Sequence, residues 1–464
     1  MNQQSSVPIH RSTRRTFLLA WAASPLLAAA CSILPPAFQP ATPTPSAPRR
    51  VRIAMPNLDS FQFLSTKLHN ASNALSPDRH ITIELLPIDI SVKGQAFPTA
   101  DEIPARFANA LNASTGSNAP DLVMTELFTI RALGRAGAIQ DLNPLLRGET
   151  WFKGSDFVGN TLQAGQVRGK QIAIPLEFSI EALLYSRSVL ASKGFPAPTL
   201  GWTWDEAIVA AKSLTINQDG PAGRAGFFVA AGSPNWLTMA WQRGAHVISD
   251  DGTSIDLSEP GTLAALEFLV DLTMVHKVSP PLDKQLPPSS ALAWDRTFFS
   301  QAGTMWRAIS GKHAAMGSSF VGGIAGVTAD DDIKIGSFLA SSKAVTLGFP
   351  GIMLGIPKNA TDTDHSVNAL RGLLDAASLT MILPPRTGVT DLKSVQNLLL
   401  DSEAAALSRS LASIKVLPGD FPLEALAVAQ TELVIPVLTG QKQAKNAVKE
   451  AQSAVQAAIA KFRG

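Results

Sequence analysis

The sequence predicts an α/β protein of two lobes, each a mainly parallel sheet flanked by helices. In the first third of the chain, apolar runs of strand length alternate with helical stretches, with strands at 51–55, 81–88 and 121–124 and helices at 61–75 and 103–112. This alternation favours a parallel sheet that is covered on both faces. With 464 residues the chain is also too long for one ordinary core, so we expect two lobes.

The composition is globular and nearly neutral. Hydrophobic residues make up 45% of the chain, charged residues make up 16%, and the formal net charge is +2. Nothing in this balance indicates nucleic acid or an acidic surface as a partner, so we expect neither.

The first 30 residues are predicted to be an export signal. Residues 13–18 (Thr-Arg-Arg-Thr-Phe-Leu) are similar to a twin-arginine motif. The apolar run that follows, 17–30, is too short for a comfortable membrane span. We therefore leave residues 1–30 out of the fold prediction.

A lipid anchor is predicted directly after this signal. Residues 27–31 (Leu-Ala-Ala-Ala-Cys) resemble a bacterial lipobox, with the leucine one position earlier than usual. Cys31 is the only cysteine of the chain, so we expect acylation there, with an unused thiol as the alternative. Residues 31–49 are rich in proline and predict a semi-extended tether of roughly 50 Å.

A loop between two buried strands is predicted near the middle of the sequence. One apolar run, 172–175, ends at a proline, and a second, 182–185, has the length of a buried strand. Between them, residues 177–181 carry two carboxylates, an aromatic ring and a serine. A polar loop in this position indicates a chain crossing or a binding site.

Residues 203–206 predict the start of a helix. Thr203 and Glu206 have the spacing of a capping box. The helix at 205–214 then places four apolar residues on one face, namely Ala207, Ile208, Ala211 and Leu214. We expect Trp204 to pack against the core rather than to contact a ligand.

These stretches together resemble the extracellular solute-binding proteins of bacterial ABC importers, of the maltose-binding-protein type. The shared order is a proline-ended strand, a loop, an apolar run ending in Tyr185, the turn 194–196 (Gly-Phe-Pro) and the segment 202–206 (Trp-Thr-Trp-Asp-Glu). Ser186 stands where the family usually has asparagine. Similar segments continue to the C-terminal helix, so the resemblance covers roughly residues 50–464.

The resemblance implies the type II periplasmic-binding-protein fold, in which two lobes close on a ligand about hinge crossings. The implied first lobe holds residues 50–175 and 306–385, and the second holds 176–305 and 386–464. The return to the first lobe is expected within 298–316, where two alignments compete, one on 298–305 and one on 310–316.

The resemblance further implies the capture subunit of an ABC importer, with a carbohydrate as the expected ligand. Such a protein would need no cofactor, would act as a monomer, and would meet the permease subunits at the outer face of the membrane. A sensor or structural module with the same fold is the alternative.

An enzyme is the third possibility. The chain has no metalloprotease, nucleophile-elbow or phosphate-loop motif. Glu177 and Glu181 form a carboxylate pair of the kind that glycosidases use, but hydrogen bonding to a neutral ligand is the simpler interpretation. Residues 250–252 (Asp-Asp-Gly) predict a hairpin turn rather than a metal site.

Ligand contacts are expected past the ends of strands and in the loop 177–181. Ligands bind past the carboxyl ends of parallel strands, and sugar rings stack on aromatic side chains while polar groups bind their hydroxyls. By the resemblance, Ser179 matches a family contact because it precedes Tyr185 by six residues. The candidate ligand-binding residues are Asp59, Glu126, Phe128, Glu177, Phe178, Ser179, Trp236, Trp306 and Phe349.

Each candidate also has a structural interpretation. Glu126 would fit the start of a helix, Glu177 would fit a solvent-facing position, and any of the aromatic residues would fit a core. Trp236 and Trp306 are favoured among the aromatic residues because each follows a predicted strand end.

Overall fold

The computed structural model describes residues 49–75, 81–90, 102–159, 161–198, 202–216, 223–229, 235–281, 305, 308–322, 332–380, 383, 385–386, 401–418 and 421–463. The predicted export signal, Cys31 and Trp306 lie outside these ranges. Residues Ala47–Gly464 form one compact unit. Among the helices of the described ranges, none has the length and apolar character needed to cross a membrane.

The chain alternates between strands and helices for most of its length. The strands are β1 (Arg49–Pro56), β2 (Ile81–Ile88), β3 (Leu122–Glu126), β4 (Gln166–Val167), β5 (Lys170–Gln171), β6 (Ile174–Pro175), β7 (Ser179–Ser186), β8 (Ala225–Phe228), β9 (Ala314–Gly322), β10 (Ile333–Gly336), β11 (Thr346–Phe349), β12 (Ile352–Gly355) and β13 (Ile414–Val416). The α-helices are α1 (Asp59–Ser72), α2 (Glu102–Ala113), α3 (Leu127–Arg135), α4 (Asn143–Leu146), α5 (Arg187–Ala191), α6 (Trp204–Leu214), α7 (Asn235–Gln242), α8 (Pro260–Met274), α9 (Thr363–Thr380), α10 (Asp401–Leu411), α11 (Glu424–Ala429), α12 (Ile435–Leu438) and α13 (Ala444–Arg463).

The first sheet has five strands in the order β2-β1-β3-β12-β6. Strands β1, β2 and β3 run parallel, as the sequence predicts, because helices α1 and α2 provide the crossover connections that parallel strands need. Strand β12 runs antiparallel to both of its neighbours. The sheet is therefore mixed rather than mainly parallel.

The second sheet has six strands in the order β13-β11-β7-β9-β8, with β10 also paired to β7. Strand β7 is antiparallel to β9, β10 and β11, whereas β8 and β13 pair in parallel with their neighbours. All eight residues of β7 are buried. This burial explains the apolar run at 182–185, since a central strand that is covered on both faces does not need a polar face.

Two short connections join the sheets. The first crossing, residues 176–178, leads from β6 in the first sheet to β7 in the second. The second crossing, residues 350–351, leads back from β11 to β12. Leu176 N donates to Ile352 O at 2.9 Å, so the two crossings lie side by side.

The predicted return to the first lobe is wrong. Strand β9 contains Met316, the last residue of the 310–316 alignment, and it pairs along its length with β7 of the second sheet. Strands β10 and β11 pair with β7 as well. The chain therefore returns at residues 350–351, and the part of 306–385 that precedes them belongs with the second sheet. Helix α9, by contrast, packs in the core of the first sheet, as the predicted lobe boundaries require.

Helix α6 begins with the predicted capping box. Thr203 Oγ1 accepts a hydrogen bond from Glu206 N at 3.3 Å, and Glu206 Oε2 accepts one from Thr203 N at 2.7 Å. The four apolar residues predicted to share a face are all buried. This helix thus packs on the second sheet as its sequence indicates.

Candidate functional site

The crossings bring the carboxyl ends of β3 and β11 together with the start of β7. The second crossing is tied to the first sheet, because Leu127 N, at the start of α3, donates to Gly351 O at 3.1 Å. Five of the predicted ligand-binding residues lie at or beside this meeting point, namely Glu126, Phe128, Phe178, Ser179 and Phe349, and Glu177 lies within it.

Glu177 is part of the first crossing, but its carboxylate is turned into the protein. The side chain is 3% exposed. It accepts a hydrogen bond from Ser179 Oγ at 3.3 Å, and the backbone N–H groups of Gly351 and Ile352 act with this hydroxyl to lower its pKa. Burial raises the pKa of Glu177 to about 7, against the effect of these groups. We therefore revise the prediction that Glu177 is a ligand acceptor, since its side chain is buried in this conformation.

Phe178 is a core residue in this structure. Its side chain has no exposed surface and packs with Ile180 and Leu184 on one side of the second sheet. At Gly348, in β11, an added Cβ atom would lie 2.4 Å from Phe178 Cζ. The ring fills the space that this glycine leaves, so the prediction of a stacking face on Phe178 is revised.

Ser179 and Phe349 face each other across β7 and β11. Ser179 is 7% exposed, and Phe349 is half-buried. The Phe349 ring packs edge-on against Phe320 of β9, with ring centroids 5.1 Å apart. A hydroxyl group and a partly exposed aromatic ring therefore stand next to each other beside the crossings.

Glu126 ends β3 and occupies the N-cap position of α3, without a capping hydrogen bond from its side chain. Its carboxylate is buried and accepts hydrogen bonds from the hydroxyls of Thr125, at 2.8 Å, and Thr129. Phe128, in the first turn of α3, is half-buried. Asp59 is the first residue of α1, past the end of β1, and its side chain lies outside the described part of the structure.

Trp236 does not offer a face to a ligand in this conformation. Its side chain is fully buried within α7, and its indole Nε1 has no hydrogen-bond partner among the described residues. An indole in such a position belongs to the core. We therefore revise the prediction that Trp236 is a favoured ligand contact. Trp306 lies outside the described residues.

Glu181 is a buried carboxyl group that the candidate set did not include. It lies inside β7, not in a loop, and accepts a hydrogen bond from Ser318 Oγ at 2.6 Å. Burial raises the pKa of Glu181 to about 7, and the hydroxyls of Ser318 and Thr238 act against this rise. The sequence signal that could have identified Glu181 is a carboxylic acid beside an apolar run of strand length.

Helix α3 also carries two arginines that contact a remote segment. Arg131 is 6% exposed, and its Nη1 donates to Phe421 O at 2.8 Å. Arg135 Nη2 lies 2.5 Å from Glu424 Oε1 of α11. No local pattern could have revealed these contacts, because the partners are 289 and 290 positions apart in the chain.

The groups at the crossings can hydrogen-bond to a polar ligand and stack on an apolar ring face. Within the described ranges, no group of three His, Cys, Asp or Glu side chains is arranged to hold a metal ion. A turn was predicted for residues 250–252, and the structure has a turn there. Ile248 and Ile255 form an antiparallel bridge on either side of it, and Gly252 has a positive φ of 67°.

Several solved structures share this fold. The ABC substrate-binding protein Lmo0181 from Listeria monocytogenes, in complex with cycloalternan, is 17% identical with a TM-score of 0.64, over 89% of this chain and 100% of that chain. Maltose-bound MalE3 of T. maritima is 17% identical with a TM-score of 0.63, over 88% and 98%. A sugar transporter from Arthrobacter chlorophenolicus A6 with bound laminaribiose is 17% identical with a TM-score of 0.60, over 89% and 99%. These similarities establish the two-lobe periplasmic-binding fold.

The family follows from a match to the amino-acid sequence itself. The model of the bacterial extracellular solute-binding protein family matches residues 89–364, which is more than half of the chain. This range spans both crossings, the capping box of α6 and strands of both sheets. The chain therefore belongs to the bacterial extracellular solute-binding proteins.

Proposed function

We propose that this protein captures a carbohydrate outside the cytoplasm and delivers it to the permease of an ABC importer. The observation that carries the proposal is the pair formed by the Phe349 ring and the Ser179 hydroxyl beside the crossings. Aromatic faces stack on the C–H faces of sugars, and hydroxyls and carboxylates bind sugar hydroxyls. The similar structures with cycloalternan, maltose and laminaribiose support a ligand of this class.

We also propose that the protein is anchored to the membrane by a lipid and that it binds its ligand without catalysing a reaction. A lipid on Cys31 and a proline-rich tether would hold the binding unit near the permease. The similar proteins of known structure are described as binding and transport proteins, which supports binding without catalysis. We place Glu126, Phe128, Ser179 and Phe349 in the ligand site, with Asp59 and Trp306 as further members.

A thermal-shift screen followed by calorimetry tests the ligand class. Tagatose, maltose, laminaribiose and cycloalternan serve as probes, and a peptide and inorganic phosphate as non-sugars. A ligand at a hundredfold excess over its Kd adds about 2.7 kcal/mol to the free energy of unfolding, so a binding sugar raises the melting temperature measurably. Stabilisation by the peptide or by phosphate alone would contradict the carbohydrate assignment.

Phe349→Leu then tests the site. Loss of the aromatic face weakens binding of the sugar that the screen identifies, whereas the leucine keeps most of the buried volume. Phe195→Leu is the matched control, because Phe195 is also half-buried and packs at the edge of the core after α5. Equal affinity of the two variants would place the site elsewhere.

A further inference from the structure

Two phenylalanine rings meet over strand β7 beside the crossings. Phe320 lies on β9 and Phe349 on β11, the two strands that flank β7. Phe320 is paired with Glu181 and Phe349 with Ser179, so both rings project from the same face of the sheet. Strands on either side of β7 are roughly 10 Å apart, since neighbouring strands are about 4.8 Å apart. The rings therefore reach inwards over the small side chain of Ser179, which brings their centroids to 5.1 Å.

The two rings differ in their exposure. Phe320 is 8% exposed, whereas Phe349 is half-buried and keeps an open surface. The ring planes are inclined at 66°, which is an edge-on arrangement that aromatic pairs prefer. The last torsion of a phenylalanine side chain is otherwise only weakly restricted, so an edge-on neighbour fixes the plane of the more exposed ring.

Glu181 fixes the strands that carry the two rings. Its side chain is 2% exposed, and its Oε1 accepts a hydrogen bond from Ser318 Oγ at 2.6 Å, two residues before Phe320 on β9. Its backbone oxygen accepts one from Thr346 Oγ1 at 2.9 Å, three residues before Phe349 on β11. Strand β7 therefore holds both flanking strands by side-chain hydrogen bonds close to the point where the rings meet.

We propose that Phe320 is a positioning residue of the ligand site: its ring holds the Phe349 ring in one orientation before the sugar stacks on it. Phe320 acts through Phe349 and does not itself contact the ligand. This inference rests on the proposed function and extends the site to a residue outside the candidate set. A ring that is already fixed loses less conformational freedom when the ligand binds, so the affinity depends on Phe320.

Calorimetry with the sugar that the screen identifies tests the proposal. Phe320→Leu removes the edge-on ring and keeps an apolar side chain, so the affinity should fall about twofold to tenfold. Phe268→Leu is the matched control, because Phe268 of α8 is also half-buried and packs edge-on against Trp204 at the same centroid distance of 5.1 Å. This control should keep the affinity of the wild type per folded molecule. Equal losses in the two variants, or an unchanged affinity of Phe320→Leu, would overturn the proposal.

A double-mutant cycle shows whether Phe320 acts through Phe349. In the Phe349→Leu background, Phe320→Leu should not change the Kd further, because the ring that it positions is absent. Losses of the two single variants that add up in the double variant would overturn the proposal, since Phe320 would then act on the ligand independently of Phe349.

NMR on the wild-type chain gives a measurement that does not depend on how the variants fold. With ring-labelled phenylalanine, cross-peaks between the rings of Phe320 and Phe349 should be present without sugar and should persist when sugar is bound. Their absence in either state would overturn the proposal. If the wild type binds no sugar, the proposed function fails while the ring contact can still be measured. If the wild type binds a sugar and Phe320→Leu binds it equally well, this inference fails and the proposed function stands.

Discussion

At the scale of single residues, Trp204 holds α6 against the second sheet. Its ring packs against Phe227 at 5.3 Å and Phe268 at 5.1 Å between centroids, and its Nε1 donates to Gln242 Oε1 at 3.1 Å. These contacts confirm that Trp204 is a packing residue, as its place behind the cap predicts. This hydrogen bond also gives the side-chain oxygen of Gln242 a donor inside the core.

Trp204→Ala should lower the free energy of unfolding by about 3–5 kcal/mol, because it opens a cavity and removes the partner of Gln242. Affinity for ligand, per folded molecule, should stay unchanged. Chemical denaturation and calorimetry measure the two quantities. Trp202→Ala is the control, since Trp202 is only half-buried and should cost less. A stable Trp204→Ala protein that has lost binding would contradict the assignment.

We expect Cys31 to carry a lipid. This prediction rests on the position of the only cysteine in the sequence, which follows the apolar signal segment and precedes the proline-rich tether. Mass spectrometry of the exported protein should find Cys31 as the acylated first residue, and Cys31→Ser should release the protein from membranes. An unmodified Cys31, or a chain that retains the residues before it, would end this prediction.

At the scale of secondary-structure elements, α3 links the first sheet to the C-terminal helices. The helix packs on β3 and β12, while its two arginines contact Phe421 and α11. The guanidinium of Arg135 also lies 5.9 Å from the ring of Phe462 in α13. Helix α13 in turn is joined to residues 255–257 through Gln452. A chain of contacts thus runs from the first sheet through α3 to the second half of the protein.

A double-mutant cycle of Arg135→Ala and Glu424→Ala should show a coupling energy of about 1 kcal/mol in the free energy of unfolding. The pair is only 19% and 16% exposed, so solvent screens it less than a surface pair. The exposed pair Lys442 and Glu450 is the control and should show less coupling. Equal coupling in the two cycles would mean that the contact of α3 with α11 contributes little.

At the scale of the whole molecule, two buried carboxyl groups make stability depend on pH. Burial raises the pKa of both Glu177 and Glu181 to about 7 in the folded protein. In the unfolded chain each has an ordinary pKa near 4.5, so the folded state binds more protons between these values. Stability from these groups is therefore fully present below pH 4.5 and is lost as the pH rises through 7.

The double variant Glu177→Gln and Glu181→Gln should flatten this dependence. Above pH 7 it should exceed the wild type in free energy of unfolding by an amount on the order of a few kcal/mol, and near pH 4.5 the two should differ little. Denaturant titrations across this range provide the measurement. A wild type and a double variant with the same pH dependence of stability through this window would contradict the raised pKa of the two carboxyls.

The sequence by itself determined the local elements. Strand β2 has the bounds that its apolar pattern predicts, and α6 begins at the predicted capping box. The causes of these features lie within a few residues of each other, in periodicity and in side-chain contacts with the neighbouring backbone. The ordered series of such elements also sufficed to suggest the family, which the match over residues 89–364 then established.

Only the tertiary structure decided where side chains point and where the chain crosses. Glu177, Phe178 and Trp236 have the types and positions of ligand contacts, but strands and helices from distant parts of the chain cover them. The return to the first sheet depends on whether β9 pairs with β7 or with the first sheet, and both pairings suit its apolar pattern. Burial and strand pairing are set by neighbours more than a hundred residues away, which a local pattern cannot contain.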